Sequence, residues 1–234
     1  MGRGSSKGGG GGGGVPELIP DPNGGGNANK EPFSNTGVGM RELPTLKSAL
    51  GTKSAAKSMD DATMNSNPYY DGRYREFSEN CQRAVIAYEA RRRGYDVTAQ
   101  PTFEGDILPT TAHIGPNGER NARWMGAFQG ARPINVGKST AKATQKAVED
   151  QMKQYGNGSR AILQVAWKGT GGHVINVENR NGRIYYNDAQ VHGRYNGSAL
   201  FNAIKTGATN LVRVDNLKFS ERAKKSVEPA DRRK

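Results

Sequence analysis

Cysteine is almost absent from this chain of 234 residues, which has one, Cys81, and only three histidines. A single cysteine cannot form an intramolecular disulfide, and three scattered histidines supply no Cys/His cluster with the spacing of a zinc site. We therefore expect neither a metal nor another cofactor. Apolar runs are short as well: none reaches the roughly 18 residues of a membrane span, and none of signal-peptide length follows Met1. The sequence predicts a soluble protein with no membrane span and no signal peptide.

Charge is strongly unbalanced, since 34 lysines and arginines outnumber 22 aspartates and glutamates and leave a net charge of +12 at pH 7. Candidate phosphate contacts are Arg91, Arg92 and Arg93 and the basic tail at 218–234. Neither cluster is interleaved with aromatic residues that stack on bases, so a solvated helix face and a solvated tail are favoured over a dedicated site. Only non-specific attraction to nucleic acid is expected.

Composition divides the chain into three parts. Residues 1–70 include a glycine run at 8–14 and a polar stretch at 47–67. They are too poor in apolar residues to offset the entropy of ordering, which predicts a disordered, glycine-rich basic arm. Residues 71–217 carry periodic apolar patterns and are long enough for one hydrophobic core. Residues 218–234 are predicted to be a charged, flexible tail.

Cys81 stands at the start of a predicted amphipathic helix that ends near Gly94. With Ser78 or Asn80 as its cap, the cysteine falls in the first turn, where the helix dipole and unpaired N–H groups favour an anionic sulfur. One face carries Cys81, Ala84, Val85 and Tyr88, and away from it lie Gln82, Arg83, Glu89 and Arg92. The alternative for Cys81 is a buried, inert thiol that packs as a small hydrophobe.

Further elements follow from periodicity and turn residues. A second helix is predicted at 139–155, capped by Ser139, and a strand at 161–167. A short helix at 198–205 and a final strand at 211–215 complete the domain. Trp124 is a candidate for a substrate cleft, although an aromatic residue in such a segment is more often part of a core.

An Asn-Gly pair between two segments, 173–178 and 183–188, predicts a β-hairpin. A two-residue turn places His173 opposite Gln190, so His173, Asp188 and Gln190 project to one face. His173 and Asp188 are then diagonal neighbours, roughly 7–8 Å apart between Cα atoms, and the carboxylate can orient the imidazole. A one-residue slip in register would turn Asp188 to the opposite face.

His173 is one of two histidines that could act as a general base beside Cys81. His192 follows Gln190 by two residues and shares its face if the strand continues, while His173 itself could be a strand-end residue bonded to backbone. The glycines before His173 favour it, because they let the helix carrying Cys81 approach closely, and they make Gly172 a second candidate for the cleft. Asp188 could instead be a turn residue, and Gln190 could simply be exposed.

The order Cys81, His173, Asp188 is the one expected of a thiol-dependent acyl-transfer enzyme. The predicted class is an α+β, papain-like fold. An N-terminal helix that carries the nucleophile packs on an antiparallel sheet, which carries the general base His173 and the residue that orients it, Asp188. Backbone N–H groups at the helix start can hold an oxyanion, with side-chain support from Asn80, Gln82 or Gln190.

Several short motifs between residues 72 and 217 form a recognisable pattern. They are Asn80-Cys81-Gln82-Arg83, Tyr88-Glu89, Arg91-Arg92-Arg93-Gly94-Tyr95-Asp96-Val97, Trp124 with Phe128, Gly171-Gly172-His173-Val174, Asn181-Gly182, Asp188 with Gln190, and Val212-Arg213-Val214-Asp215-Asn216. On these motifs the segment resembles the papain-fold toxin domains described as glutamine deamidases, which occur in bacterial polymorphic toxins and phage head-associated proteins. Two positions depart from the pattern: Ala189 stands where proline is expected, and Ala84 where a second cysteine often occurs.

The resemblance implies a nucleophilic Cys81, a general base and acid in His173, an orienting Asp188, and a protein substrate carrying a reactive glutamine. An immunity protein or a phage capsid component is a candidate partner, and the implied location is a virion or the cytoplasm of a target cell. A cysteine protease and a transglutaminase share the same chemistry. The alternative from another class is a non-enzymatic virion or interaction protein with a degenerate papain-like domain.

Overall fold

The computed structural model describes residues 14–21, 43–71, 75–102 and 123–233. None of the helices in these ranges is long and apolar enough to cross a membrane. In chain order the elements are β1 (Glu17–Leu18), α1 (Leu46–Leu50), α2 (Met59–Asn65), α3 (Arg75–Ser78), α4 (Cys81–Arg92), β2 (Val97–Ala99), β3 (Ile134–Asn135), α5 (Ala141–Tyr155), β4 (Arg160–Ala166), β5 (Gly172–Arg180), β6 (Arg183–Asp188), β7 (Gly193–Tyr195), α6 (Gly197–Ala203), β8 (Asn210–Arg213) and β9 (Val227–Pro229).

Seven strands form the main sheet, in the order β1-β7-β6-β5-β4-β8-β3. Its pairs are antiparallel except for the parallel pair of β1 and β7. A second, two-stranded antiparallel sheet joins β2 to β9. Helices combined with a mainly antiparallel sheet define the α+β class that the sequence predicts.

Helices cover both faces of the main sheet, and side chains alternate along the strands between two cores. From β4, Ile162 packs in the core that contains α4, whereas Ala161 and Leu163 pack in the core that contains α5 and α6. Along β5, Val174 contributes to the α4 core and Ile175 to the other. The sheet is therefore the middle layer of three.

Helix α4 is buried on nearly every side, which corrects the prediction of an amphipathic helix. Gln82, Arg83 and Glu89, expected to face away from the core, are 2 %, 0 % and 0 % exposed. Part of the cover on α4 comes from outside the predicted domain: α2 packs on α4, and so does β9 near the C-terminus. A helix enclosed in this way must pair its charged groups within the protein.

The three consecutive arginines at the end of this helix contradict both interpretations of the basic cluster. Arg91 contacts the carboxylates of Asp61 and Asp96 at 2.8 Å, and Arg92 contacts Glu178 at 2.6 Å. Arg93 contacts Glu89 at 2.7 Å. These side chains are 6 %, 15 % and 17 % exposed, so they form neither a solvated face nor a free phosphate-binding surface.

In the described residues, parts of the segments predicted as an arm and a tail pack on the domain. Within the supposed arm, α1 and α2 bury Leu50 and Met59, and β1 adds a strand to the main sheet. Within the supposed tail, β9 pairs with β2 and buries Val227 completely. Few apolar residues suffice here because they pack on elements of the domain or on one another: α2 on α4, β1 on β7, β9 on β2, and α1 on β9. Residues 1–13 and 22–42 lie outside the described ranges.

The predicted hairpin has the predicted turn and register. Arg180 pairs with Arg183, and both turn residues, Asn181 and Gly182, have positive φ (53° and 84°), as a two-residue hairpin turn requires. Smaller differences concern α5, whose cap is Thr140 rather than Ser139, and β8, which is followed by β9 and is not the final strand.

Candidate active site

Cys81 is the first residue of α4 and is buried, with 3 % of its surface exposed. Asn80 occupies the cap position, but its side chain makes no capping hydrogen bond; its carbonyl accepts from the N–H groups of Arg83 and Ala84. The N–H of Cys81 lies in the first turn, where backbone donors have no acceptor within the helix. The thiol therefore sits beside a backbone donor at the positive end of the helix dipole.

The direction of α4 along β5 brings the start of the helix to the start of the strand. Asn176 Nδ2 donates to the carbonyl of Val85 at 3.1 Å, and further along both elements the Tyr88 hydroxyl donates to Glu178 at 3.0 Å. The two elements thus advance together. Cys81, at the start of α4, therefore lies at the end of the sheet where β5 begins.

His173 and Asp188 form a buried pair at this end. The Nε2 atom of His173 lies 2.6 Å from Oδ2 of Asp188, and the two side chains are 9 % and 1 % exposed. The β5–β6 ladder stops at Asn176 and Asn187, so the expected pairing of His173 with Gln190 does not form. The shared face predicted from the register still brings the imidazole to the carboxylate.

The environment of His173 favours its protonated form. Burial lowers the pKa of His173, but the Asp188 carboxylate and the neighbouring Cys81 outweigh this effect and raise the pKa to about 10. Cys81 is therefore close enough to this imidazole to favour its charged form. Because Nε2 is directed at Asp188, Nδ1 is the ring nitrogen that remains for the thiol. The arrangement can hold an imidazolium between a carboxylate and a sulfur.

Asp188 has two further donors. Its Oδ2 accepts from the Tyr195 hydroxyl at 3.0 Å, and its Oδ1 accepts from the backbone N–H of Gln190 at 3.0 Å. Burial and then the charge of Asp188 raise the pKa of Tyr195 well above its ordinary value, so the phenol stays protonated and donates. The carboxylate is consequently fixed from three directions and remains hydrogen-bonded although it is buried.

An aromatic ring lies against the imidazole. Trp167 stacks on His173 with 5.7 Å between ring centroids and 25° between ring planes, and Tyr195 meets Trp167 edge-on at 6.3 Å. These rings keep water from one side of the His173–Asp188 contact, which strengthens its electrostatic attraction.

The amide side chains proposed as oxyanion donors are largely committed to one another. Asn80 Nδ2 donates to Asn67 Oδ1 at 2.8 Å and to the Gln100 carbonyl at 3.2 Å, and Gln190 Nε2 donates to Asn80 Oδ1 at 3.4 Å. Gln82 is buried, and its Oε1 accepts from the backbone N–H of Trp124 at 3.3 Å. Asn80 and Gln190 thus hold the site together, and the backbone N–H of Cys81 is the better oxyanion donor.

His192 lies in a different environment from His173. Its Nε2 is 2.7 Å from the carbonyl of Asn67, and its backbone has φ of 59°, a conformation that terminates the turn between β6 and β7. The assignment of His192 as the base required the strand to continue through Gln190. The strand ends at Asp188, so this requirement is not met. The third histidine, His113, lies outside the described residues.

The two cleft candidates have different positions. Trp124 is completely buried in the α4 core, which corresponds to the alternative interpretation as a core aromatic and not to a cleft wall. Gly172 is the first residue of β5 and is partly exposed beside His173, after Gly171 with its φ of 82°. Gly172 remains a candidate for the cleft.

Sequence reasoning missed three residues of this site: Asn67, Trp167 and Tyr195. Asn67 joins the turn after β6 to the segment before α4, since its Nδ2 donates to the carbonyls of Gln190 (2.8 Å) and Phe77 (2.7 Å). Asn67 was assigned to a disordered arm, and β7 was not predicted. The period of two along the strand predicts that Trp167 shares a face with Val165. It does not predict that Trp167 stacks on His173.

Comparison with known families finds a match for the central part of the chain. Residues 79–193 match the family model described as papain fold toxin 1, glutamine deamidase. The match confirms the resemblance to the papain-fold toxin domains over this segment, which contains Cys81, His173 and Asp188. No match was found among curated proteins or among solved structures.

Proposed function

We propose that this protein is a cysteine-dependent amidohydrolase that deamidates a glutamine side chain of a target protein, as a toxin or effector. Cys81 is the nucleophile, His173 the general base and acid, and Asp188 the residue that orients His173. The observation that carries the proposal is the buried 2.6 Å contact of His173 with Asp188, made by an imidazole whose pKa is also raised by Cys81, the first residue of α4.

The first half of the reaction forms a thioester. The Cys81 thiolate attacks the carboxamide carbon of glutamine, and the N–H of Cys81 donates to the oxyanion of the tetrahedral intermediate. The His173 imidazolium gives its proton to the departing nitrogen, so ammonia leaves and the acyl group stays on the sulfur. The raised pKa of His173 suits this step, because the imidazole is already protonated at neutral pH.

The second half returns the enzyme to its starting state. Neutral His173 takes a proton from water, the hydroxide attacks the thioester, and the thiolate leaves. The product is a glutamate side chain, and one amide bond has been exchanged for a carboxylate without a break in the target backbone. If the substrate were a peptide bond and not a side-chain amide, the same residues would act as a protease. If an amine took the place of water in the second half, they would act as a transglutaminase.

The test is a comparison of proteomes from cells that express the wild-type protein and the Cys81→Ala variant. We expect one or a few target glutamines to become glutamate with the wild-type protein only, detected by peptide mapping and by a more acidic intact target. His192→Ala is the matched control and should give the wild-type pattern. New peptide termini with unchanged glutamines would indicate a protease, and glutamine conversion by Cys81→Ala would contradict the mechanism.

The same experiment addresses the non-enzymatic alternative and the partner. A virion or interaction protein would leave both proteomes chemically identical. The Cys81→Ala variant should bind the target without converting it. Its capture should therefore enrich the protein that the wild type modifies, together with any immunity protein or capsid component that binds this domain. The net charge of +12 supports an acidic partner.

A further inference from the structure

Tyr195 lies on β7, beside the strand that ends at Asp188. Its partner across the strands is Tyr186, and Asp188 pairs with Gly193 at the start of β7. The Tyr195 hydroxyl donates to Oδ2 of Asp188 at 3.0 Å, and this is the same oxygen that His173 contacts at 2.6 Å. One carboxylate oxygen therefore receives both contacts.

We propose that Tyr195 is a positioning residue: its hydroxyl holds the Asp188 carboxylate in the orientation that directs Oδ2 at Nε2 of His173. This role rests on the proposed function in so far as it assumes the Cys81, His173 and Asp188 reaction centre. It does not depend on which amide is the substrate.

The geometry of Asp188 explains why a second contact matters. A carboxylate turns readily about its terminal torsion, and a single hydrogen bond from the Gln190 backbone to Oδ1 at 3.0 Å leaves Oδ2 free to move away from the imidazole. Tyr195 restrains that oxygen from a strand whose own position is fixed on both sides, by β6 and by β1. Its ring is also fixed, because it meets Trp167 edge-on.

The Tyr195→Phe variant removes the hydroxyl and keeps the ring. We expect kcat to fall about ten-fold with KM unchanged, a loss of about 1.4 kcal/mol in transition-state stabilisation. The basic limb of the pH profile should move to lower pH, because a less firmly held Asp188 stabilises the imidazolium less well. Asp188→Asn should move it further in the same direction.

Tyr186→Phe is the matched control. Tyr186 is the cross-strand neighbour of Tyr195, is buried, and directs its hydroxyl to Glu149 at 3.5 Å, away from the reaction centre. It should keep the wild-type kcat and pH profile. A Tyr195→Phe protein whose thermal unfolding matches that of Tyr186→Phe is folded well enough for the comparison.

A second readout needs no substrate. Cys81 is the only cysteine, so alkylation by iodoacetamide, followed by intact mass over a range of pH, reports on this thiol alone. We expect Cys81 of the wild-type protein to react at mildly acidic pH, and the midpoint of the profile to move to higher pH in Tyr195→Phe and further in Asp188→Asn. Tyr186→Phe should coincide with the wild type.

The outcomes separate this inference from the proposed function. Identical alkylation and pH profiles for wild type and Tyr195→Phe, or a basic limb that moves to higher pH, overturn the role of Tyr195 and leave the reaction centre standing. A wild-type Cys81 that is not alkylated at mildly acidic pH overturns the reaction centre and with it the role of Tyr195. Normal alkylation without glutamine conversion rejects deamidation alone.

Discussion

The two ends of helix α4 solve the problem of burying polar groups in opposite ways. At the C-terminal end, Glu89 and three arginines are neutralised by fixed partners, each within 3.0 Å of an opposite charge. At the N-terminal end, Cys81 has a titratable partner, His173, whose charge can change during a reaction. Permanent ion pairs stabilise one conformation, whereas a thiol and an imidazole can exchange a proton. Of these two ends, the N-terminal end is therefore the one where a reaction is expected.

The largest expected effect separates the histidines at the N-terminal end. His173→Ala should reduce activity by about a thousand-fold or more, since it removes the group proposed to transfer the proton and leaves Asp188 without its closest partner. His192→Ala should change activity only a few-fold, because His192 bonds the Asn67 carbonyl and not Asp188. Turnover of a glutamine peptide, followed by ammonia release, measures both. An essential His192 would show that the base has been assigned to the wrong residue.

The next effect concerns stability at the C-terminal end. Glu89→Gln removes the carboxylate that Arg93 and Arg160 both contact at 2.7 Å, and it leaves two largely buried guanidinium groups without their counter-charge. We expect a loss of about 3–5 kcal/mol in the free energy of unfolding.

Its control is a similar helix ion pair on the surface. Asp150→Asn breaks the contact of Asp150 with Lys146, whose side chains are 56 % and 74 % exposed, and should cost less than about 1 kcal/mol. Urea unfolding monitored by circular dichroism compares the variants. Equal losses for Glu89→Gln and Asp150→Asn would mean that the buried pairs at this end of α4 are no more important than surface pairs.

The pH dependence of stability should distinguish the two ends again. The pKa of His173 in the folded protein, about 10, lies above its ordinary value of 6.5. The stability that protonated His173 contributes is therefore fully present below pH 6.5 and is lost as the pH rises through 10. The difference in unfolding free energy between wild type and Asp188→Asn should shrink from pH 6 to pH 10. A constant difference would contradict the coupling of His173 to Asp188.

The smallest effect lies within the arginine cluster. Asp96 contacts the buried Arg91, but its side chain is 58 % exposed, and Arg91 has a second carboxylate partner in Asp61. Asp96→Asn should therefore reduce the unfolding free energy by less than about 1 kcal/mol. Thermal unfolding at two salt concentrations is the measurement. A loss as large as that of Glu89→Gln would show that Asp96 is required to neutralise Arg91.

Local sequence patterns determined the central elements of this protein. The Asn-Gly pair fixed the turn and the register of β5 and β6, because only a positive-φ turn of two residues joins such strands without splaying them. Side-chain alternation then placed His173 and Asp188 on one face. Helical spacing and the glycine after α4 placed Cys81 in the first turn. These inferences depend on neighbours in sequence, which the sequence displays directly.

Contacts between distant segments were decided only by the tertiary structure. Residues 43–70 and 218–233 are poor in apolar side chains, so composition predicted an arm and a tail, yet Met59 and Val227 are buried against α4 and β2. The segment at 43–70 also supplies Asp61, which pairs with Arg91, a residue whose sequence pattern is that of a solvated helix. Tyr195 and Asn67 join the site through neighbours 7 and 123 residues away. Composition measures the average cost of ordering a segment, whereas folding depends on the particular surface that the segment meets.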